Sequence, residues 1–490
     1  MVEYMKCKSL LPLALLLLSA SIVTACSDTK SDDTKKDAPE TVNSTETEAV
    51  TEAYQGPILP EANFNGETFS FYNSCICDWM AINRVTADEE TGDTLNDAVY
   101  RRNLKVAEQY NVTFSEYQNG DNILKTAINF ISSGDTTHSI YLLREDPAFN
   151  IVLQNGAVDF ANIPYLNLNR EWWLQSTLEN LSFDHRVFFG TSTFDTTHYD
   201  GTSALYFNKS LIDSFDLENP YELVKSGKWT VAKMDEMART VASDINGDGK
   251  WDENDRFGMT SHEILITRFL MAGMNAPLSL SKDDNDLLYF DMLSDYYIDR
   301  MTLAANVISQ KDGFYHTKAN SGNHGGYEYF LAGNVLFYNE TLGNAQKLRQ
   351  MTLDFGILPA PKYDESQEGY HNDVIESYFM LVPSTNPDLE RTGILMEALA
   401  YASLDTVVPS AYDGMLQGIV SRDTDSEEML DIIFDTLTFC HPVAQSYTLT
   451  NLYMRIFTGK TDFASFLTKS ESKVEAAIEA AITAYRENND

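Results

Sequence analysis

Beyond about residue 60, the apolar positions switch between a two-residue period and one near 3.6. Thr68–Ser74 (TFSFYNS) alternates and is rich in aromatic residues, which predicts a strand. Asp93–Tyr110 sets Leu95, Val99, Leu104, Ala107 and Tyr110 roughly on one helical face, with Thr94 or Asp93 as N-cap. Val112–Tyr117 reads as a strand, Asn122–Ile131 as a helix and Ser139–Leu143 (SIYLL) as a short buried strand. Strands separated by helices of this length predict βαβ units and a largely parallel sheet, hence an α/β chain. No repeat at solenoid periods occurs.

The first sixty residues follow a different pattern. Lys6 and Lys8 precede an apolar run from Leu10 to Val23, and small residues then lead to Cys26. A basic flank, a run of this length and a small-residue site read as a secretory signal. A membrane-spanning anchor is the competing reading, but a span wants about 20 apolar residues and this run is shorter. Val23-Thr24-Ala25-Cys26 resembles the lipobox of bacterial lipoproteins. That resemblance implies a signal peptide over 1–25, a lipidated Cys26 as the mature N-terminus, and a hold on the membrane by lipid anchor only. Residues 26–59 are rich in Ser, Thr, Asp, Glu and Lys and almost free of large apolar side chains before Tyr54. Such a segment buries too little surface to offset its ordering entropy, so it reads as a disordered tether. The folded part is then expected at the extracytoplasmic face of the bacterial cell membrane.

Composition narrows the partners. The 490 residues are 43% hydrophobic and 12% aromatic, enough for a sizeable core. Lys and Arg number 35 against 73 Asp and Glu, a net charge of -38. No cationic excess exists to displace phosphate counterions, which argues against nucleic acid as a partner. The same balance disfavours adsorption to anionic lipid and leaves acidic groups to spare for cations. Five cysteines are too few for a disulfide scaffold. Cys75 and Cys77 stand too close for an unstrained mutual bridge, and Cys440 is alone. A Cys-x-Cys is half a metal site, but no second Cys or His pair at ligand spacing follows, so unpaired thiols are the better reading. No Walker loop, dinucleotide glycine fingerprint or nucleophile elbow occurs, and His262-Glu263 lacks the second histidine of a zinc-protease helix.

The most specific motif is DINGDGKWDEND, Asp244–Asp255. Read as a calcium loop, it supplies oxygen from Asp244, Asn246, Asp248, the Lys250 carbonyl, Asp252 and Asp255 at positions 1, 3, 5, 7, 9 and 12. Gly249 falls at position 6, where the chain must turn sharply, and Trp251 pins the loop to the body. Asp255 stands where an EF-hand has a bidentate Glu, a departure shared with dockerin-type loops. A plain Asx/Gly surface turn is the competing reading. A calcium ion held here would be structural.

Residues 203–242 (SALYFNKSLIDSFDLENPYELVKSGKWTVAKMDEMARTVA) resemble the extracellular solute-binding proteins of bacterial ABC importers, the maltodextrin-binding class. Leu205-Tyr206-Phe207-Asn208-Lys209 resembles the family's Tyr-Tyr-Asn-Lys strand end, and Trp229-Thr230-Val231 with Asp235-Glu236-Met237 loosely resembles its next helix start. Phe257-Gly258 follows the calcium-like insert as in many members. Tyr329–Pro361 and Tyr453–Arg486 are similar to later family segments, so the resemblance covers most of 60–490. Val335-Leu336 and Glu340-Thr341-Leu342 depart from the usual Ala-Met and Gly-x-Trp.

The resemblance implies a type II, two-lobed periplasmic-binding-protein-like fold, each lobe an α/β sheet flanked by helices, closing on a ligand by hinge motion. The crossings would lie near Phe188–Tyr206 and His371–Leu381. The N-terminal lobe would then be 60–195 with 372–425, and the C-terminal lobe 196–371 with 426–490. Ligands of open α/β sheets sit at the carboxyl ends of strands. By position these ends offer Trp79, Arg144, Glu145, Asp146, His198, Tyr199, Asp200, Glu340, Glu376 and Tyr378. Aromatic faces stack on a sugar ring while carboxylates and Arg take its hydroxyls. The implied protein is a monomer that binds a small-molecule or oligosaccharide ligand, passes it to permease subunits of an ABC importer and catalyses nothing. Two alternatives stay open: a secreted glycoside hydrolase, and a sensing or scaffolding lipoprotein of the same fold.

Overall fold

Strand β1 (Glu67–Asn73) runs between β2 (Val112–Gln118) and β3 (Ile140–Leu143), parallel to both. In this computed structural model, residues 56–75, 85–252, 254–310, 313–317, 326–344, 348, 352–419, 424–442 and 450–487 are described. Cys26, Cys77 and Trp79 lie outside the described residues, as do the signal and most of the tether.

The helix Thr94–Tyr110 connects β1 to β2 and begins where the capping residues predict. The Asp93 carboxylate accepts from the amides of Leu95 and Asn96, at 3.1 and 2.8 Å. Its buried face is Leu95, Ala98, Val99, Arg102, Asn103, Val106 and Tyr110. Leu104, expected on that face, is 45% exposed, because the inward stripe passes through Arg102 and Asn103 instead. Arg102 can be buried there because its guanidinium donates to the carbonyls of Val85 and Phe194, the Ser403 hydroxyl and the Asn103 side chain.

After β3, the chain adds β4 (Phe189–Gly190) and leaves the first sheet. It enters the second at β5 (Ser203–Asn208), and continues through β6 (Phe257–His262), the hairpin β7 (Ser281–Lys282) and β8 (Leu288–Tyr289), β9 (Phe314–Thr317), β10 (Val335–Thr341) and β11 (Phe355–Leu358). It returns through β12 (Asn372–Asp373) to β13 (Phe379–Leu381), and β14 (Leu437–Thr438) pairs with β12. The order of the first sheet is β2-β1-β3-β13-β4 and that of the second β11-β5-β10-β6-β9. Two lobes result, each a mixed sheet flanked by helices.

The central strands of both sheets are buried on both faces, so they are apolar without strict alternation. Strand β10 (VLFYNET) is buried along its length, and its polar residues gather at its carboxyl end. In the first lobe, Phe71 stacks on Phe194 with centroids 5.4 Å apart, tying β1 to the first crossing. The helices Leu389–Leu404 and Val407–Ile419 pack on Thr94–Tyr110. In the second, the helix Glu263–Gly273 packs against Asp295–Ile308 and Thr450–Phe457. No helix among the described residues is long and apolar enough to cross a membrane.

Candidate functional site

The parallel strands β1 and β3 end at one edge of the first sheet, and the antiparallel β13 begins there, Phe379 pairing with Leu143. That edge therefore presents Arg144, Glu145 and Asp146 beside Glu376 and Tyr378. In the second sheet, β10 ends and β5 begins at one edge, Thr341 pairing with Ser203. The two crossings run between these edges and touch each other. Thr202 and Val374 form an antiparallel bridge, and the Ile375 amide donates to the Gly201 carbonyl at 2.9 Å. The approach is close enough that a Cβ on Gly201 would stand 1.6 Å from the Glu376 carbonyl oxygen, which makes glycine obligatory there.

Arg144 and Glu376 meet at this edge with Nη1 3.3 Å from Oε1, their side chains 44% and 17% exposed. Glu145 opens the helix Glu145–Val152 and is buried, which raises its carboxyl above the usual range against the pull of Arg144 and Arg268. Burial raises Asp146 as well, with the same two cations opposing it. On the first crossing, His198 is buried and its imidazole is pushed down to about 4 by desolvation. Its ring centroid lies 4.1 Å from that of Tyr199, whose ring in turn meets Phe434 at 4.8 Å. Asp200 is buried in the same short helix. Tyr378 is buried, and its amide donates to Thr197 Oγ1 at 3.0 Å.

Glu340 lies on the second lobe, at the carboxyl end of β10. Its carboxylate accepts from the Tyr338 hydroxyl at 3.1 Å and the Thr341 amide at 2.8 Å. Neighbouring Asn339 donates to Ser203 Oγ and the Ala204 carbonyl, both at 3.0 Å, and accepts from Ser261. The structure thus brings Arg144 to Glu376 and His198 to Tyr199. Glu145 and Asp146 share the field of Arg144, whereas Glu340 is buried in the other sheet among Tyr338, Thr341 and Asn344.

Residues not singled out by sequence complete the hinge. Arg268, on the helix Glu263–Gly273, donates from Nε and Nη2 to the two Asp373 oxygens at 2.8 and 2.9 Å. It also reaches the Val374 and Ile375 carbonyls, so one guanidinium from the second lobe clasps the second crossing. The pair is 105 positions apart, and its one sequence signal is an Arg inside an otherwise apolar helix (EILITRFLMAG).

The Asp244–Asp255 loop folds as a tight acidic turn. Gly247 and Gly249 take φ of 71° and 75°, and Asp244 accepts both their amides, at 2.7 and 2.9 Å. Asp255 is fully buried and accepts from the Ile245 and Asp252 amides, stapling the loop's two ends. The Trp251 ring lies 5.5 Å from that of Phe257. Among the described residues, no group of three or more His, Cys, Asp or Glu is gathered as metal ligands. The donor set is all oxygen, which suits calcium in chemistry.

No family model matches the sequence, and no curated protein does. Solved structures do resemble it. A sugar transporter of Rhizobium etli in an open conformation is 14% identical with a TM-score of 0.56, covering 84% of this chain and 99% of that one. An ABC substrate-binding protein of Listeria monocytogenes in complex with cycloalternan is 10% identical, TM-score 0.55, covering 84% and 99%. A cyclo/maltodextrin-binding protein complexed with maltotetraose is 11% identical, TM-score 0.53, covering 86% and 96%. The shared property is the fold, the two-lobed type II arrangement of periplasmic binding proteins.

Proposed function

We propose that this chain is a solute-binding protein of an ABC importer that captures a carbohydrate, with an oligosaccharide favoured, between its lobes. The observation that carries the reading is that strand ends of both sheets border the two touching crossings. Arg144 and Glu376 pair there with Asp146 in the field of Arg144, and Glu340 stands at the end of β10 in the second sheet. A cluster of donors and acceptors around a hinge takes the many hydroxyls of a sugar, and closure strengthens each hydrogen bond by excluding water. The neighbours described with cycloalternan, maltotetraose and sugar transport support that ligand class.

The ligand leaves unchanged, as a monomeric binder hands it to permease subunits. The lipobox-like segment at Cys26 and the tether support a lipid-anchored protein at the extracytoplasmic face. The loop Asp244–Asp255 takes one structural calcium ion through Asp244, Asn246, Asp248, the Lys250 carbonyl, Asp252 and Asp255.

Thermal-shift screening against maltotetraose, cycloalternan and a wider oligosaccharide panel, with amino acids and peptides beside them, tests the ligand class. A ligand that binds only the folded protein adds about 2.7 kcal/mol at a hundredfold excess over Kd, a shift of several degrees. A shift from peptides with none from any sugar would replace the carbohydrate and keep the binder. Hydrolysis of a glycoside that tracks one carboxylate would replace the binder with a hydrolase.

A further inference from the structure

The first crossing carries a buried carboxylate that ligand capture does not itself use. Asp195, 5% exposed, accepts the Thr197 amide at Oδ1 (2.9 Å) and the Thr197 hydroxyl at Oδ2 (3.0 Å). A hydroxyl has one proton to donate. With that proton committed to Asp195, Thr197 Oγ1 turns lone pairs to the Tyr378 amide, which donates to it at 3.0 Å. An acid on one crossing thereby orients the acceptor that holds the other, two residues from Glu376. Beside this relay lies a cavity of about 10 Å³, room for one water, lined in part by Asn73, Cys75, Asp195, Thr197 and Tyr378.

Among the described residues, Asp195 makes no direct ion pair. Arg102 is the nearby cation, but its nitrogens go to Val85, Asn103, Phe194 and Ser403. Glu116 on β2 draws on Arg102 in turn. The Cys75 thiol and Tyr378 phenol are the other titratable groups lining the cavity, and the Asp195 carbonyl acts on His198. From the helices Leu389–Leu404 and Val407–Ile419, Ser403 bonds Arg102 and Val407 lines the cavity, both uncharged, while Tyr412 interacts with Tyr199 further along the crossing.

We propose that Asp195 is a positioning residue of the cleft: as a carboxylate it holds the Thr197 hydroxyl in the orientation that docks Tyr378, and as a neutral acid it turns that hydroxyl over and loosens the contact. The proton comes from solvent and settles on a carboxyl oxygen. The new O–H must donate, and its nearest acceptor is Thr197 Oγ1. The Thr197 proton then loses its acceptor and turns toward the cavity, and Oγ1 accepts from both the acid and the Tyr378 amide, which compete for its two lone pairs and loosen the Tyr378 contact. Burial pushes the Asp195 carboxyl up to about 6, against the pull of the Thr197 bonds and Arg102, so the exchange falls at a mild pH. The consequence for the ligand rests on the proposed cleft, whereas the contact itself does not.

The test uses full-length protein labelled with ¹⁵N-tyrosine and no ligand, the Tyr378 amide being assigned with Tyr378→Phe. The Tyr378 resonance should titrate with a midpoint near 6. Its exchange protection should fall on the acid side, by up to about fivefold, the size expected for one neutral hydrogen bond. Asp195→Asn should abolish the titration, Thr197→Val should abolish both titration and protection, and Thr197→Ser should keep them. A Tyr378 resonance that stays flat, or one that titrates unchanged in Asp195→Asn, overturns the proposal. Should Thr197→Val not fold, Asp195→Asn and Thr197→Ser decide it. Because no sugar is present, failure to find a carbohydrate ligand would leave this result standing, and the reverse also holds.

Discussion

Arg144, at the start of a first-lobe helix, and Glu376, on the second crossing, hold each other with 3.3 Å between charged atoms. The pair stands half in solvent, so its own contribution to stability is at most about 1 kcal/mol. Under the proposed function its place at the strand ends makes it a ligand contact: two charged groups already desolvated in part and oriented by one another.

Arg144→Ala should therefore leave the melting temperature of the free protein within about 2 °C of wild type and weaken the ligand. Loss of one charge-assisted hydrogen bond corresponds to about ten- to a hundredfold in Kd. Isothermal calorimetry with the best sugar from the screen measures it. Unchanged affinity would remove Arg144 from the site.

Gly201→Ala tests the touching crossings. Its Cβ would fall 1.6 Å from the Glu376 carbonyl oxygen, a backbone atom that cannot swing aside. Overpacking of this kind costs about 1–3 kcal/mol, read as a lower urea midpoint. A midpoint equal to wild type would mean the crossings do not approach as described.

The buried histidines set a pH dependence. His198 and His441 are held down to about 4 and about 3 by burial, whereas an unfolded histidine protonates near 6.5. The unfolded chain therefore binds more protons below pH 6.5. The stability each histidine contributes is complete above that value and is lost as pH falls toward the folded pKa. The slope approaches about 1.4 kcal/mol per pH unit for each. Asp195, raised to about 6, acts oppositely, gaining stability as pH falls from there toward its unfolded value. Comparing wild type with His441→Gln by urea denaturation isolates one histidine. The wild-type advantage should shrink by about 1–2 kcal/mol between pH 7 and pH 5. A constant difference contradicts the assignment.

How much of this was legible depends on how local each signal is. The Asp93 cap, the β1 and β2 strands and the helix after β2 follow from spacing within a few residues, and the structure places them within a residue or two of expectation. Leu104 falls off the buried face because a five-position stripe leaves its angle open by about a third of a turn, and buried Arg102 and Asn103 are polar residues whose partners only the fold supplies. The Arg268–Asp373 clasp and the Asp195–Thr197–Tyr378 relay join segments about 105 and 181 positions apart. No periodicity records such pairs, since only the fold makes them neighbours. Arg144 and Glu376 were reachable from topology, because a parallel strand followed by a helix and an antiparallel return must end at one edge.

The acidic loop separates two roles for its carboxylates. Asp255 is buried and binds two loop amides, so Asp255→Ala should destabilise the protein with or without calcium. Asp248 is exposed, so Asp248→Ala should leave the chelated protein unchanged and abolish a calcium-dependent rise in melting temperature. Wild-type melting that ignores both EDTA and millimolar calcium would leave a plain Asx turn.

Small-angle scattering with and without the oligosaccharide that gives the largest thermal shift tests the central claim most directly. Capture between hinged lobes requires the radius of gyration to fall on ligand addition, with Arg144→Ala requiring a higher ligand concentration for the same change. A sugar that binds tightly while the scattering curve stays unchanged would contradict closure around the ligand.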